Sequence, residues 1–495
     1  MRTLITNGHI VTAIADYEGD ILIDGEKVAA VSVPGAFASL QVDTVLDAQG
    51  KYIFPGAIDV HTHMELPLPA TVASDDFETG TIAAACGGTT TIIDFANQQR
   101  GHTLTDALQT WHNKADGKAV IDYGFHITIT DLAAAPETAM DDMVTAGVTT
   151  FKLLMAYPGT FMVDDETIYR VLRRSAKIGG LVMVHAENGI VIDLLVREAV
   201  AAGHTAPGFH ALTRPAILEG EAAQRAITLA AFADAPLYIV HVSCAHALHT
   251  VAAARVKGLP VWGETCPQYL YLNDSHYASP GFESAKFVCT PPMRSLADNE
   301  ALWLGLQRRE LQVVSTDHAP FHFAGQKELG LHDFTKIPNG LPGVEYRVVL
   351  LYEGVRTGKL ALQHFVDLIA TAPAKLFGLY PRKGTIAPGS DADLVIFNPE
   401  RKMTISAATQ HQHVDYTPYE GMQVQGVPET ILLRGGVIVR DGEYVGGKGG
   451  TSLCSTANAA ASLRRASPSF SRIWLTWLRA VFSVTIRVLA ICLFV

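Results

Sequence analysis

The chemistry of this chain starts at His61-Thr-His63, which closes the apolar run Gly56-Ala-Ile-Asp-Val60. Residues two apart on a strand share a face, so both imidazoles can grip one ion. Three more candidate ligands each end a β-like run of their own: His185 after Leu-Val-Met-Val, His241 after Leu-Tyr-Ile-Val, and Asp317 in Val313-Val-Ser-Thr-Asp317. Lys152 sits inside the otherwise apolar Val148-Thr-Thr-Phe-Lys-Leu-Leu-Met155. Imidazole and carboxylate are ligands of zinc and related divalent ions, and catalytic sites keep a position open for water. One ion would take His61, His63 and Asp317; a second would take His185 and His241. Two cations roughly 3.5–4 Å apart repel strongly with one carboxylate among their ligands, so a bridging anion is needed. Lys152 meets that need if its uncharged amine takes up carbon dioxide, giving a carbamate with two oxygens. Burial in an apolar strand beside cations favours the uncharged amine. The plainer reading of Lys152 is a snorkelling or salt-bridged lysine. For His102, His112, His204, His210 and His246 the reading is a histidine satisfied by an ordinary hydrogen bond. Asp59, two residues before His61, is read as orienting an imidazole, in preference to a plain polar residue at a strand start.

These side chains need a frame that joins five distant segments. Eight β-branched runs recur with helix-like stretches between them: Ala57–His61, Thr89–Phe95, Tyr123–Ile129, Thr149–Met155, Leu181–His185, Leu237–Val242, Leu259–Trp262 and Leu311–Ser315. Such alternation predicts βα units, and eight of them predict an α/β fold closed into a (β/α)8 TIM barrel. The candidate ligands end runs one, four, five, six and eight, the barrel edge where βα loops converge on chemistry. Asn7-Gly8 and Asp24-Gly25 read as hairpin signals among short strands at the start of the chain. Similar strands return late, in Ala392-Asp-Leu-Val-Ile-Phe397 and Thr430-Ile-Leu-Leu433, so both ends are expected to build one small β-sandwich. The predicted organisation is sandwich 1–54, catalytic barrel 55–382, sandwich 383–450 and an atypical tail 451–495.

A 48% hydrophobic, 18% charged composition fits a packed globular protein and excludes a disordered one. Net charge of −11 argues against a phosphate-tracking surface and hence against nucleic-acid partners. Cys86, Cys244, Cys266, Cys289, Cys454 and Cys492 form no CxxC pair, which points away from disulfides or thiolate zinc and towards a cytoplasmic setting. The first residues lack the apolar core of a signal peptide. From 451 there is no acidic residue, and 473–495 is mostly apolar but carries Arg479 and Arg487. Each arginine near a bilayer centre costs about 2.5–3.5 kcal/mol, so a membrane anchor is disfavoured against an appended helix or an unstructured end.

Several motifs resemble the cyclic amidohydrolases, and within them the dihydropyrimidinases, called D-hydantoinases in bacteria. They are Gly56-Ala-Ile-Asp-Val-His-Thr-His63, Phe151-Lys-Leu-Leu-Met-Ala-Tyr157, Met183-Val-His-Ala-Glu-Asn188 and Ser315-Thr-Asp-His-Ala-Pro320. The resemblance spans about residues 1–450 and does not cover the tail. It implies two divalent ions, expected to be zinc, a carboxylated Lys152, and ligands His61, His63, His185, His241 and Asp317. It also implies substrate contacts through Tyr157, the Cys289-Thr290 segment and Asn339, and a homotetramer. Many members carry serine where Thr290 stands. In the mechanism so implied, a metal-bridging hydroxide attacks the ring amide carbon. Tyr157 donates to the developing oxyanion, while Asp317 passes the water's proton to the leaving nitrogen. The products are N-carbamoyl amino acids from dihydrouracil, dihydrothymine or 5-substituted hydantoins. Dihydroorotase is disfavoured because Met64-Glu-Leu-Pro67 supplies no arginine for a substrate carboxylate. Allantoinase is the nearer rival. Non-enzymatic relatives that serve as interaction proteins lack ligands that stand here.

Overall fold

The computed structural model describes residues 1–132 and 136–453, so 454–495, nearly all of the expected tail, lies outside the described residues. Eight strands follow one another in chain order through a single parallel sheet: Ala57–Thr62, Thr89–Asn97, Asp122–Thr128, Thr150–Leu154, Leu181–His185, Leu237–Ile239, Val261–Thr265 and Val313–Val314. The edges meet through a parallel bridge between Thr62 and His318. Arg347, fully buried, donates to the carbonyls of Ile58 at 3.0 Å and Val314 at 2.9 Å and ties the first strand to the last. The expected barrel is therefore present.

Both faces of these strands are apolar because helices cover the outside and side chains fill the inside. Ile58, Val60, Ile93, Phe95, Met183 and Tyr238 pack into one interior cluster. Their chain neighbours Ile92, Val182 and Ile239 belong to the larger core shared with the helices. The helix Asp165–Ile178 shows how the sequence fixes a covering element. Asp164 caps it by accepting from the Thr167 N–H, Gly179 ends it at φ 72°, and Ile168, Val171, Leu172, Ser175 and Ile178 form its buried stripe.

Only Leu181–His185 keeps its sequence limits; the other strands shift at one end or both, and two of them show why. The sixth run ends early because His241 takes a left-handed backbone, φ 37°. The seventh begins after Pro260 and continues through Glu264 to Thr265, because that buried carboxylate has partners that make it compatible with the core.

The chain ends share a second, nine-stranded sheet. Tyr52–Pro55 from the start pairs antiparallel with the first residues of Leu394–Thr404 from the end. Ile5, Ile21, Ile53, Leu394, Ile396 and Leu432 form its core, so strands from both chain ends fold around shared side chains. Asp24-Gly25 does turn a hairpin between Asp16–Asp24 and Lys27–Ser32. Asn7-Gly8 does not. It is an irregularity inside Arg2–Val11, with Asn7 at φ 58° and its amide groups held by Asp20 and Asp47 at 3.0 Å each. Thr451 to Leu453 continue the body past the composition break: Leu453 donates to the Tyr123 carbonyl at 2.8 Å and is 3% exposed. Among the described residues no helix is long and apolar enough to cross a membrane.

Candidate active site

Five strand ends bring the candidate ligands together. Asp317 Oδ1 lies 3.1 Å from Nε2 of both His61 and His63. His185 Nδ1 and His241 Nε2 lie 2.9 Å apart, and the His61 and His241 ring centres are 5.3 Å apart. Single ligand atoms of His61, His241 and Asp317 all fall within 4.8 Å of one another. Lys152 is buried beside them, with Nζ 4.7 Å from the centre of the Phe95 ring that also packs on His61 and His63. Burial pushes the Lys152 amine down to about 8. Burial opposes ionisation of Asp317, yet the adjoining histidines hold its carboxyl well below the usual range.

Whether these residues suit metal ions is answered by the far nitrogens of the rings. His61 Nδ1 lies 2.5 Å from Glu264, and His185 Nε2 lies 2.9 Å from Glu187. A histidine that ligates a metal characteristically gives its other N–H to a carboxylate, which fixes the tautomer and aims the lone pair. His63 Nδ1 and His241 Nδ1 are buried with no hydrogen-bond partner among the described residues, while His61 Nε2 faces the shared Asp317 oxygen. The donor set fits divalent cations with nitrogen and oxygen preference. A second carboxylate cluster, Asp122, Asp391 and Asp393, is geometrically similar but contains the Lys383 ammonium, 2.7 Å from Asp122 and 3.3 Å from Asp391.

Beside the histidines stands a polar clamp. The Tyr157 hydroxyl is buried close to the Thr290 and Asn339 side chains, and burial raises its pKa. Its ring centre is 5.8 Å from that of His185. Tyr157, His241 and Asp317 all have positive φ, at 68°, 37° and 54°. Such backbone persists where surrounding structure over-determines it, and it turns all three residues out of regular strand geometry.

Sequence reading assigned no role to Glu264 or Glu187. The signal available for each was a carboxylate near a strand end in an otherwise apolar setting. Asp59 corrects an expectation: it orients no imidazole. It accepts from Thr316 Oγ1 at 2.6 Å and from the His61 backbone N–H at 3.2 Å, joining the first strand to the Asp317 segment. His210 keeps its ordinary reading, with Nε2 2.8 Å from the Cys289 carbonyl. Met64 is fully buried in the main core against Gly80, so it does not face the site.

The Amidohydrolase family model matches residues 52–438. The D-hydantoinase of Streptomyces coelicolor is 52% identical over 450 residues, covering 90% of this chain and 96% of that protein. The D-hydantoinase of Geobacillus stearothermophilus is 53% identical over 451 residues, covering 91% and 95%. The crystal structure of dihydropyrimidinase from Brevibacillus agri superposes with a TM-score of 0.89 at 51% identity, covering 92% of this chain and 98% of the other.

Proposed function

The chain belongs to the amidohydrolase family, and from that membership we propose a metal-dependent cyclic amide hydrolase. It opens dihydrouracil, dihydrothymine and 5-substituted hydantoins to N-carbamoyl amino acids, D-configured from the hydantoins. The observation that carries this reading is a pair of carboxylate-anchored histidines, His61 and His185, next to a hydroxyl donor on Tyr157. His61, His63 and Asp317 would hold one divalent ion, His185 and His241 the other, with a carboxylated Lys152 between them. Zinc is the metal of the proposal. When bound, such a pair supplies Lewis acidity and a water acidified towards neutrality.

The chain's own residues do the rest. Thr290 and Asn339 hold the ureide or imide edge of the ring, so that the scissile amide meets Tyr157. The Tyr157 phenol, kept protonated by burial, donates to the carbonyl oxygen as negative charge develops there. Asp317 takes the proton of the attacking water and delivers it to the ring nitrogen as the C–N bond breaks. Leu66, Leu68 and Ala73 from the loop after the first strand pack with Ala319 and Phe321 from the loop after the eighth, and Phe161 lies edge-on to Tyr157 at 6.3 Å. These apolar groups suit hydrogen or hydrocarbon substituents and disfavour a carboxylate, whose burial without a partner costs about several kcal/mol. The proposal includes a cytoplasmic homotetramer.

The test is turnover of dihydrouracil, hydantoin, allantoin and dihydroorotate at matched concentrations, before and after chelation and restoration of zinc. Opening of the first two that tracks bound metal is the expected result. Efficient opening of dihydroorotate, or turnover indifferent to metal, would refute the reading.

A further inference from the structure

Thr290 and Asn339 sit on separate loops, and something must fix the distance between them. The loop after the eighth strand returns to the site ten residues beyond Asp317 with Lys327, which is 0% exposed. Its Nζ donates to three backbone carbonyls, Val288, Pro338 and Gly340, each at 2.8 Å. Val288 precedes Cys289-Thr290; Pro338 and Gly340 flank Asn339. The two loops touch directly through the Gly340 N–H, which donates to the same Val288 carbonyl at 3.1 Å.

We propose that Lys327 is the positioning residue of the substrate clamp, its ammonium holding the Thr290 and Asn339 loops at the spacing a cyclic ureide spans. The inference rests on the cyclic-amide reading of the site. An ammonium has three N–H donors, and here all three end on carbonyls of these two loops. Burial pushes the amine down to about 7, and the three carbonyls that accept its N–H groups offset the cost of burying it. A residue serving only to fill the core would be apolar. The ammonium also reaches the clamp through the Pro338–Asn339 peptide. Its carbonyl faces Lys327, and in a planar trans peptide the Asn339 N–H points the opposite way. A cation at the carbonyl end strengthens the N–H as a donor, as neighbouring hydrogen bonds polarise one another.

The experiment uses the full-length holoenzyme with Lys327→Met and Lys327→Gln, alongside Lys383→Met as a buried-lysine control at the barrel–sandwich contact. Lys327→Met is expected to raise KM for dihydrouracil about tenfold or more, with kcat changed far less and metal content unchanged. Gln, which keeps two donors, should recover part of that loss. Amide exchange of Gly340 should accelerate in Lys327→Met while strand amides such as Val184 stay protected. A KM shift of the same size in Lys383→Met, an unchanged KM in Lys327→Met, or unaltered Gly340 exchange would each overturn the proposal. So would failure of both Lys327 variants to fold, which would assign the lysine to the whole fold. If the wild type opens no cyclic amide, the functional reading fails, and Gly340 exchange still decides whether Lys327 fixes the loops.

Discussion

Glu264 offers the sharpest test of how the site is held. Its Oε1 lies 2.5 Å from His61 Nδ1 and accepts from the His241 backbone N–H at 3.2 Å, while Oε2 accepts from the Tyr238 hydroxyl at 2.9 Å. Glu264→Gln preserves shape and one acceptor but removes the negative charge that favours His61 with its proton on Nδ1 and its lone pair on Nε2. Hydrogen bonds to charged groups contribute about 1.5–3 kcal/mol, and the amide retains part of the interaction. The conversion of 1.4 kcal/mol per tenfold gives a weakening of metal binding of about 10- to 100-fold, the range typical of a carboxylate behind a ligating imidazole. Competition against a chelator of known affinity reads the constant directly, and metal analysis at several free-zinc concentrations gives the occupancy. Turnover at saturating metal should fall much less than affinity. Tyr238→Phe removes only a neutral donor from the other oxygen and should weaken binding by less than about tenfold. Wild-type metal affinity in Glu264→Gln would refute the idea that the carboxylate sets the His61 lone pair.

Three further outcomes follow from the same geometry. Lys152→Ala should lose metal and turnover together, with partial recovery in a short-chain acid such as acetate; two bound metals and full activity would exclude a bridging carbamate. Tyr157→Phe should lower kcat by about 10²–10³ with metal content unchanged, and near-normal kcat would reduce Tyr157 to a packing residue. Removing everything after Gly450 should destabilise the fold relative to a chain ending at Leu453 by about 2–5 kcal/mol, because a buried leucine and its pairing with Tyr123 are lost. Thermal unfolding of the two truncations side by side checks this.

What the sequence made legible was set by burial pattern. The barrel showed because each strand is a short β-branched run, and the candidate ligands showed because histidine is conspicuous at the end of such a run. His185 in Leu181–His185 has both signals and lies where they indicate. Side chains whose meaning depends on a distant partner were not legible. The seventh run was ended at Trp262, short of Glu264, since a carboxylate inside an apolar strand is costly until a histidine about 200 positions away supplies its partner. Asp59 was read by its parity with His61, but the register shifts between Asp59 and Thr62, and the carboxylate serves backbone groups and Thr316 instead. Met64 follows the histidine pair in sequence, yet its side chain turns into the core. Lys327 is the extreme case. It opens a single short 3-10 turn, Lys327–Gly330, too brief to show periodicity, and its three acceptors are main-chain carbonyls, which no residue code records. Pattern thus reports which side chains the fold must bury, while the backbone turns at Tyr157, His241 and Asp317 decide where those side chains meet.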